Sequence, residues 1–418
     1  MDKNTRRIKL GCYGGNVTMS IVGNLSAILF LTFRNLYDIS YTLLGLLVLI
    51  SYATQLSMDL LFSFFSHKFN IQKVVRLSPV LSIVGFLLFA AAPFLFKTSV
   101  YLGLLLGTVI FSAASGLNEV LLSPIIAALP SENTEREVSK LHSTYAWGVV
   151  AVVIITTLFL FIFKSTRWYF LPLIFSIVPI FSLFCFLTSH LPPLETPQQT
   201  SGAVSMLKNK TLLLCVLAIF LGGASEVTMA QWCSSYLEQA LGIQKVWGDI
   251  FGAAAFALTL GLGRSLYAKF GNSIEKILLL SSIGATVCYS VCVFSPLPIL
   301  GLIACALTGL CTAMMWPGSL VVCSSRIKAG GVFVFAMMAA GGDLGAAVGP
   351  QLVGVVTDAV TATPSAARLA SSLHLTLEQL SMKFGLAVGA LFPLLSIFVF
   401  WRIWKTKDKA DGLPLAEK

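Results

Sequence analysis

Charge is what this sequence has least of. Asp, Glu, Lys and Arg make up 11% of its 418 residues, against about a quarter in a soluble domain, which excludes a solvated globular surface. Enzyme signatures are missing too: there is no HExxH, no phosphate-cradling glycine loop ending in Lys-Ser or Lys-Thr, and no glycine-flanked nucleophilic serine. An enzyme is therefore not expected, and a primary pump would need a nucleotide-binding unit that is absent. The four histidines, His67, His142, His190 and His374, have no metal-ligand spacing, so neither metal nor cofactor is expected. The nine cysteines lie scattered through apolar runs and read as small packing residues rather than a disulfide framework. The basic start, MDKNTRRIKL, lacks a compact apolar core ending in a small-residue cleavage site, so it reads as the lead-in to a retained first span.

What is present is apolar sequence. Hydrophobic residues reach 56% and mean hydropathy is +0.87, the composition of an all-α polytopic membrane protein. A bilayer crossing needs about 20 apolar residues. Runs that meet this lie near 11–33, 41–65, 74–96, 99–128, 141–163, 168–189, 211–237, 247–268, 275–295, 298–322, 331–356 and 384–404. Two connections are long. The proline-rich stretch LPPLETPQQTSGAVSMLKNK, 191–210, reads as a linker between six-span halves at 1–190 and 211–418. The other, Asp358 to Lys383, reads as a polar loop with a short helix around Leu375 to Leu380.

The basic residues fix an expected orientation. With both termini in the cytoplasm, 21 of the 28 Lys and Arg fall inside, including Arg6, Lys73, Lys140, Lys208, Lys276, Lys328 and Lys405. Outside lie Arg34, Lys97, Lys164, Arg167, Lys245, Arg368 and Lys383. That bias is the positive-inside signature of a plasma-membrane protein, and it accounts for the net charge of +10 without a nucleic-acid partner. The stretch KFNIQKVVRLS after the second span resembles KFGNSIEKILLLS after the eighth, which suggests internal duplication.

Twelve spans, a central linker and duplicated basic loops together resemble the major facilitator superfamily over essentially the whole chain. Within it, the fourth and fifth spans resemble the fucose permease-type branch of sugar:proton symporters. Gly116, Glu119 and Pro124 match that branch's fourth-span pattern, with Asn118 adding one residue between glycine and glutamate. His142 followed by Trp147 and Gly148 matches its fifth span with a substitution. Asn24 aligns with a cavity asparagine, and Ala27 stands where an aspartate follows in the family. The resemblance implies a major facilitator fold with a central cavity lined by spans one, four, seven and ten.

Residues that could carry chemistry there are few. Glu119 sits deep in an apolar run, where a carboxylate costs roughly 2.5–3.5 kcal/mol on insertion scales. A buried carboxyl readily takes and releases a proton, so Glu119 is the first expected proton carrier and Glu226 the second. Alternatively, either could be a neutral acid bonded to a neighbouring span. Sugars offer hydroxyls at their edges and C–H groups on their faces. Asn24, His142, Tyr145, Gln231, Trp232 and Trp316 supply the matching amides and rings. Gln55 and Asp59, four apart on one face of the second span, read as gate or packing residues, with Asp59 expected to find a cation. Asp343, among the glycines of AAGGDLGAAVGPQLVG, reads the same way. Arg264 reads as a positive-inside anchor. The expected function is proton-coupled symport of a small polar solute, a sugar or polyol, by a monomer in a lipid bilayer. The alternatives are an exporter of amphipathic drugs or metabolites and a transporter-like sensor.

Overall fold

The computed structural model describes residues 2–65, 69–130, 134–192, 209–270, 273–327 and 331–406. Most of the linker (193–208), His67 and Lys68, Lys208, Lys328 and the tail after 406 lie outside the described residues. All regular structure among the described residues is helical. Eleven helices are long and apolar enough to cross a membrane, and twelve if the bent pair Lys3–Ile28 and Phe30–Tyr37, which meet at 46°, is one span. We number the spans in chain order with that pair as span 1. Spans 2 to 5 are Tyr41–Phe65, Ile71–Leu95, Val100–Ala127 and Thr134–Phe163.

Proline sets where several spans break. Span 6 is Phe170–Phe175 and Ile177–Leu187. Span 10 is Pro298–Thr312 and Met315–Arg326. Span 12 is Leu377–Gly389 and Leu391–Lys405. In each, the resumed helix carries a proline at its third residue: Pro179, Pro317 and Pro393. A first turn needs no N–H from that position, whereas a continuous helix would lose a bond and clash with the carbonyl four residues back.

Between spans 11 (Gly331–Thr361) and 12 the structure differs from the sequence expectation. A short helix runs over Pro364–Ser372, and Leu377 to Leu380 form the first turn of span 12. The cause is a capping box. Thr376 accepts from the Gln379 amide at 3.1 Å, and the Gln379 side chain accepts from the Thr376 amide at 2.9 Å.

The chain divides into two compact units, Met1–Gln199 with Ile243–Ala254, and Thr200–Gly242 with Ala255–Lys418. In the first, span 1 packs on spans 5 and 6, and span 4 on spans 2 and 3. Gly85 and Gly107 let spans 3 and 4 touch backbone to backbone. A Cβ on Gly85 would lie 2.6 Å from the Phe111 nitrogen, and one on Gly107 2.9 Å from the Phe89 nitrogen. Around that contact Phe33, Phe89 and Phe111 stay buried with Trp168, whose indole donates to the Tyr37 hydroxyl at 2.9 Å. Toward the N-terminus, Lys9 pairs with Glu137 at 2.6 Å and the Asn16 amide donates to the Leu141 carbonyl at 2.6 Å, tying span 1 to span 5.

The second unit repeats the pattern. Span 7 (Lys210–Gln239) packs on spans 11 and 12, and span 10 on spans 8 and 9, the same pairings shifted by six. Its core gathers Leu212, Ile219, Met315, Met338 and Phe400. Span 8 is Lys245–Gly248, a wider i→i+5 stretch Asp249–Ala254, and Ala255–Phe270.

Candidate functional site

In the first unit the polar residues collect where spans 2 and 4 run side by side. The approach is close because of Gly116: a Cβ there would lie 2.8 Å from the Gln55 carbonyl and 3.0 Å from Met58 Cβ. One turn before it, Ser51 and Ser112 share a hydrogen bond of 2.7 Å. Level with it, Ser115 donates to Gln55 Oε1 at 2.9 Å. One turn after it come Asp59 on span 2, buried at 7% exposure, and Glu119 on span 4.

Asn118, beside Glu119, turns inward. Its carbonyl accepts from Ser78 at 2.6 Å, and its amide donates to the Gly15 carbonyl at 3.4 Å. Glu119, one residue on and about 100° round the helix, is exposed. Ser123, one turn on, sits 3.4 Å from His142 Nε2, which brings span 5 to this face. The Tyr145 hydroxyl lies against Gly23, next to half-buried Asn24, whose amide donates to the Ser20 carbonyl at 2.9 Å. Asn24, Glu119, His142 and Tyr145 thus come from three helices of one unit, with Gln55 and Asp59 behind Glu119.

In the second unit the chemistry centres on Arg264, more than an anchor. Its Nη2 pairs with Glu226 at 3.2 Å, and its Nε donates to the Ala313 carbonyl at 3.2 Å. That carbonyl is free because Pro317, four residues on, has no N–H to give it. One guanidinium therefore joins spans 7, 8 and 10. Beside it, the half-buried Trp316 ring lies against Gly223 and Gly342; a Cβ on Gly223 would meet it at 2.9 Å.

Two predicted contact residues stand elsewhere. Trp232 is fully buried, and its indole donates to the Pro350 carbonyl at 2.9 Å, pinning span 7 to span 11 at that span's proline. It has no open face on which a sugar could stack. Gln231 beside it is buried at 4%, as is Asp343 in span 11. The sequence reading overlooked Asp249. Its carboxylate is wholly buried, accepts from Thr157 at 2.7 Å and pairs with Lys245 at 3.3 Å, all within the first unit. The one sequence signal was a charge among apolar residues just after the start of span 8. Among the described residues no group of three His, Cys, Asp or Glu side chains could hold a metal ion.

A family model described as the Major Facilitator Superfamily matches residues 12–350. No curated protein matches the sequence. Solved structures with the same fold include a bacterial homologue of the human lysosomal transporter Spinster, inward-facing and unoccupied. It is 13% identical, with a TM-score of 0.77 over 99% of this chain and 100% of that one. A D-xylose-proton symporter is 15% identical, with a TM-score of 0.71 over 98% and 99%. The fucose:proton symporter of E. coli is 16% identical, with a TM-score of 0.57 over 93% and 98%, so the fucose branch is one of several resembled.

Proposed function

Given that the chain belongs to the major facilitator superfamily, and is thus a multi-pass membrane transporter and not an enzyme, we propose that it moves a small polar solute by proton-coupled alternating access. The observation that carries this reading is Glu119. It is exposed on a span whose neighbouring residue, Asn118, is buried in helix packing. A carboxyl turned to lipid at that depth would be costly, so its open side belongs to an aqueous path. Asn24, His142 and Tyr145 on the same unit supply hydroxyl-binding groups.

In this reading Glu119 takes a proton from one side and releases it on the other. Glu226 is held by Arg264 and acts in binding or gating. The protein, organised as halves 1–190 and 211–418 with a linker between them, opens to each side of the plasma membrane in turn, with both termini in the cytoplasm. A sugar is the favoured solute class. The resemblance of spans 4 and 5 to the fucose-type symporters supports it, as does the likeness to the solved D-xylose and fucose symporters.

The test is a binding panel on the purified protein: D-xylose, L-fucose, a nucleoside and a lipophilic cation, each scored by protection of tryptophan fluorescence from a water-soluble quencher. Protection by a sugar, lost in Trp316→Ala at normal expression, is the expected result. Protection by the lipophilic cation alone would replace it with the exporter reading.

A further inference from the structure

Spans 2 and 4 run in the same direction, and their polar side chains meet at turn-by-turn intervals. Ser51 meets Ser112 at 2.7 Å and Gln55 meets Ser115 at 2.9 Å. Each is a neutral donor–acceptor pair. Continuing the same register brings Asp59 opposite Glu119, so the third pair would be two acids. Asp59 is buried at 7% exposure, and its Oδ1 has no hydrogen-bond partner. A bare carboxylate oxygen in such a place is expensive, and two carboxylates side by side cannot both stay ionised.

From this register we infer that Asp59 and Glu119 form one acid pair that holds a single shared proton. Asp59 is then the inner half of the coupling site, where the sequence suggested a gate. The proton sits on one carboxyl and bonds to the other, O–H···O⁻, which completes the ladder and satisfies the orphaned oxygen. Because Glu119 is exposed and Asp59 is not, the proton enters and leaves through Glu119, and Asp59 sets how tightly it is held. No bond other than O–H is made or broken.

The helices packed on spans 2 and 4 carry other titratable groups toward this end: Lys9 and Tyr13 on span 1, Arg76 on span 3 and His142 on span 5. Lys9 is held by Glu137 at 2.6 Å, and His142 stands against Ser123 at 3.4 Å.

The inference rests on the proton-coupled reading above, yet its test needs no solute. The full-length protein in nanodiscs is treated with dicyclohexylcarbodiimide, which attacks protonated carboxyls, and modification of each residue is quantified by mass spectrometry across pH. Asp59→Asn should lower the pH of half-labelling at Glu119 by at least about one unit, the coupling that makes a titration macroscopic. Glu119→Gln should lower that of Asp59 by the same amount, since coupling is reciprocal. Should Asp59→Asn fail to fold, the Glu119→Gln arm stands alone. Replacing choline chloride by excess sodium chloride should change neither profile.

An unshifted profile in a variant that melts like wild type would overturn the pair. Equal protection of both residues by sodium would overturn it in favour of a metal-cation site. Shifted profiles in a protein that accumulates no solute would sink only the transport reading; solute-driven proton uptake with unshifted profiles would sink only the pair.

Discussion

If Arg264 stands in for the N–H that Pro317 lacks, the two residues must be energetically coupled. The perturbation is Arg264→Leu, made alone and together with Pro317→Ala. Alone, it removes two things. One is the ion pair with Glu226, whose guanidinium is 44% exposed and is therefore worth at most about 1 kcal/mol. The other is the bond to the Ala313 carbonyl, 3.2 Å long, which would be left without its partner at a cost of about 1–3 kcal/mol. The expected loss is about 1–4 kcal/mol. In the Pro317→Ala background the Ala313 carbonyl regains an intrahelical donor, so the same substitution should cost only about 1 kcal/mol. The coupling of about 1–3 kcal/mol is read from a double-mutant cycle, using denaturant titration of the detergent-solubilised protein followed by helical circular dichroism. Strictly additive costs would refute the role given to Arg264.

Trp232→Phe should cost about 1 kcal/mol of stability through its lost bond to Pro350, while solute binding stays at the wild-type level in the quenching assay. Gly223→Leu should displace the Trp316 ring, lower the melting temperature by a shift matching about 1–3 kcal/mol of overpacking, and abolish solute protection of fluorescence. The Lys140 and Lys9 ammonium groups hold the Glu137 carboxyl down at about 2. Its contribution to stability is thus full above the ordinary value of 4.5 and is lost as pH falls through about 2. Glu137→Gln should flatten that acid limb in a melting-temperature-against-pH series. Single cysteines at positions 245 and 368 of a cysteine-free variant should react with an impermeant reagent in intact cells, and one at 276 should not.

Spans were legible because hydropathy over twenty residues does not depend on partners. The breaks at Ser176, Ala313–Met314 and Ala390 and the start of span 12 at Leu377 were not read, although Pro179, Pro317, Pro393 and the Thr376–Gln379 spacing carry their signals. Facing was not legible. Spans apolar all round give no period to say which residues turn inward, and so Trp232 passed for a ring in the cavity. Arg264 passed for an anchor because its partners, Glu226 and the Ala313 carbonyl, lie on two other spans. Asp249 was missed because Thr157 is 92 residues away in sequence. Glu119 stood out by the cost of its charge alone, but the register between spans 2 and 4, which Gly116 permits, was not legible.

The account stands most directly on whether Glu119 moves the proton. Proteoliposomes filled with a pH-sensitive dye are given an inward gradient of whichever sugar the binding panel selects. Wild-type protein should acidify the lumen as solute enters. Glu119→Gln should abolish that signal while still exchanging labelled sugar across the membrane at a comparable rate. Acidification of wild-type size in Glu119→Gln would contradict the account.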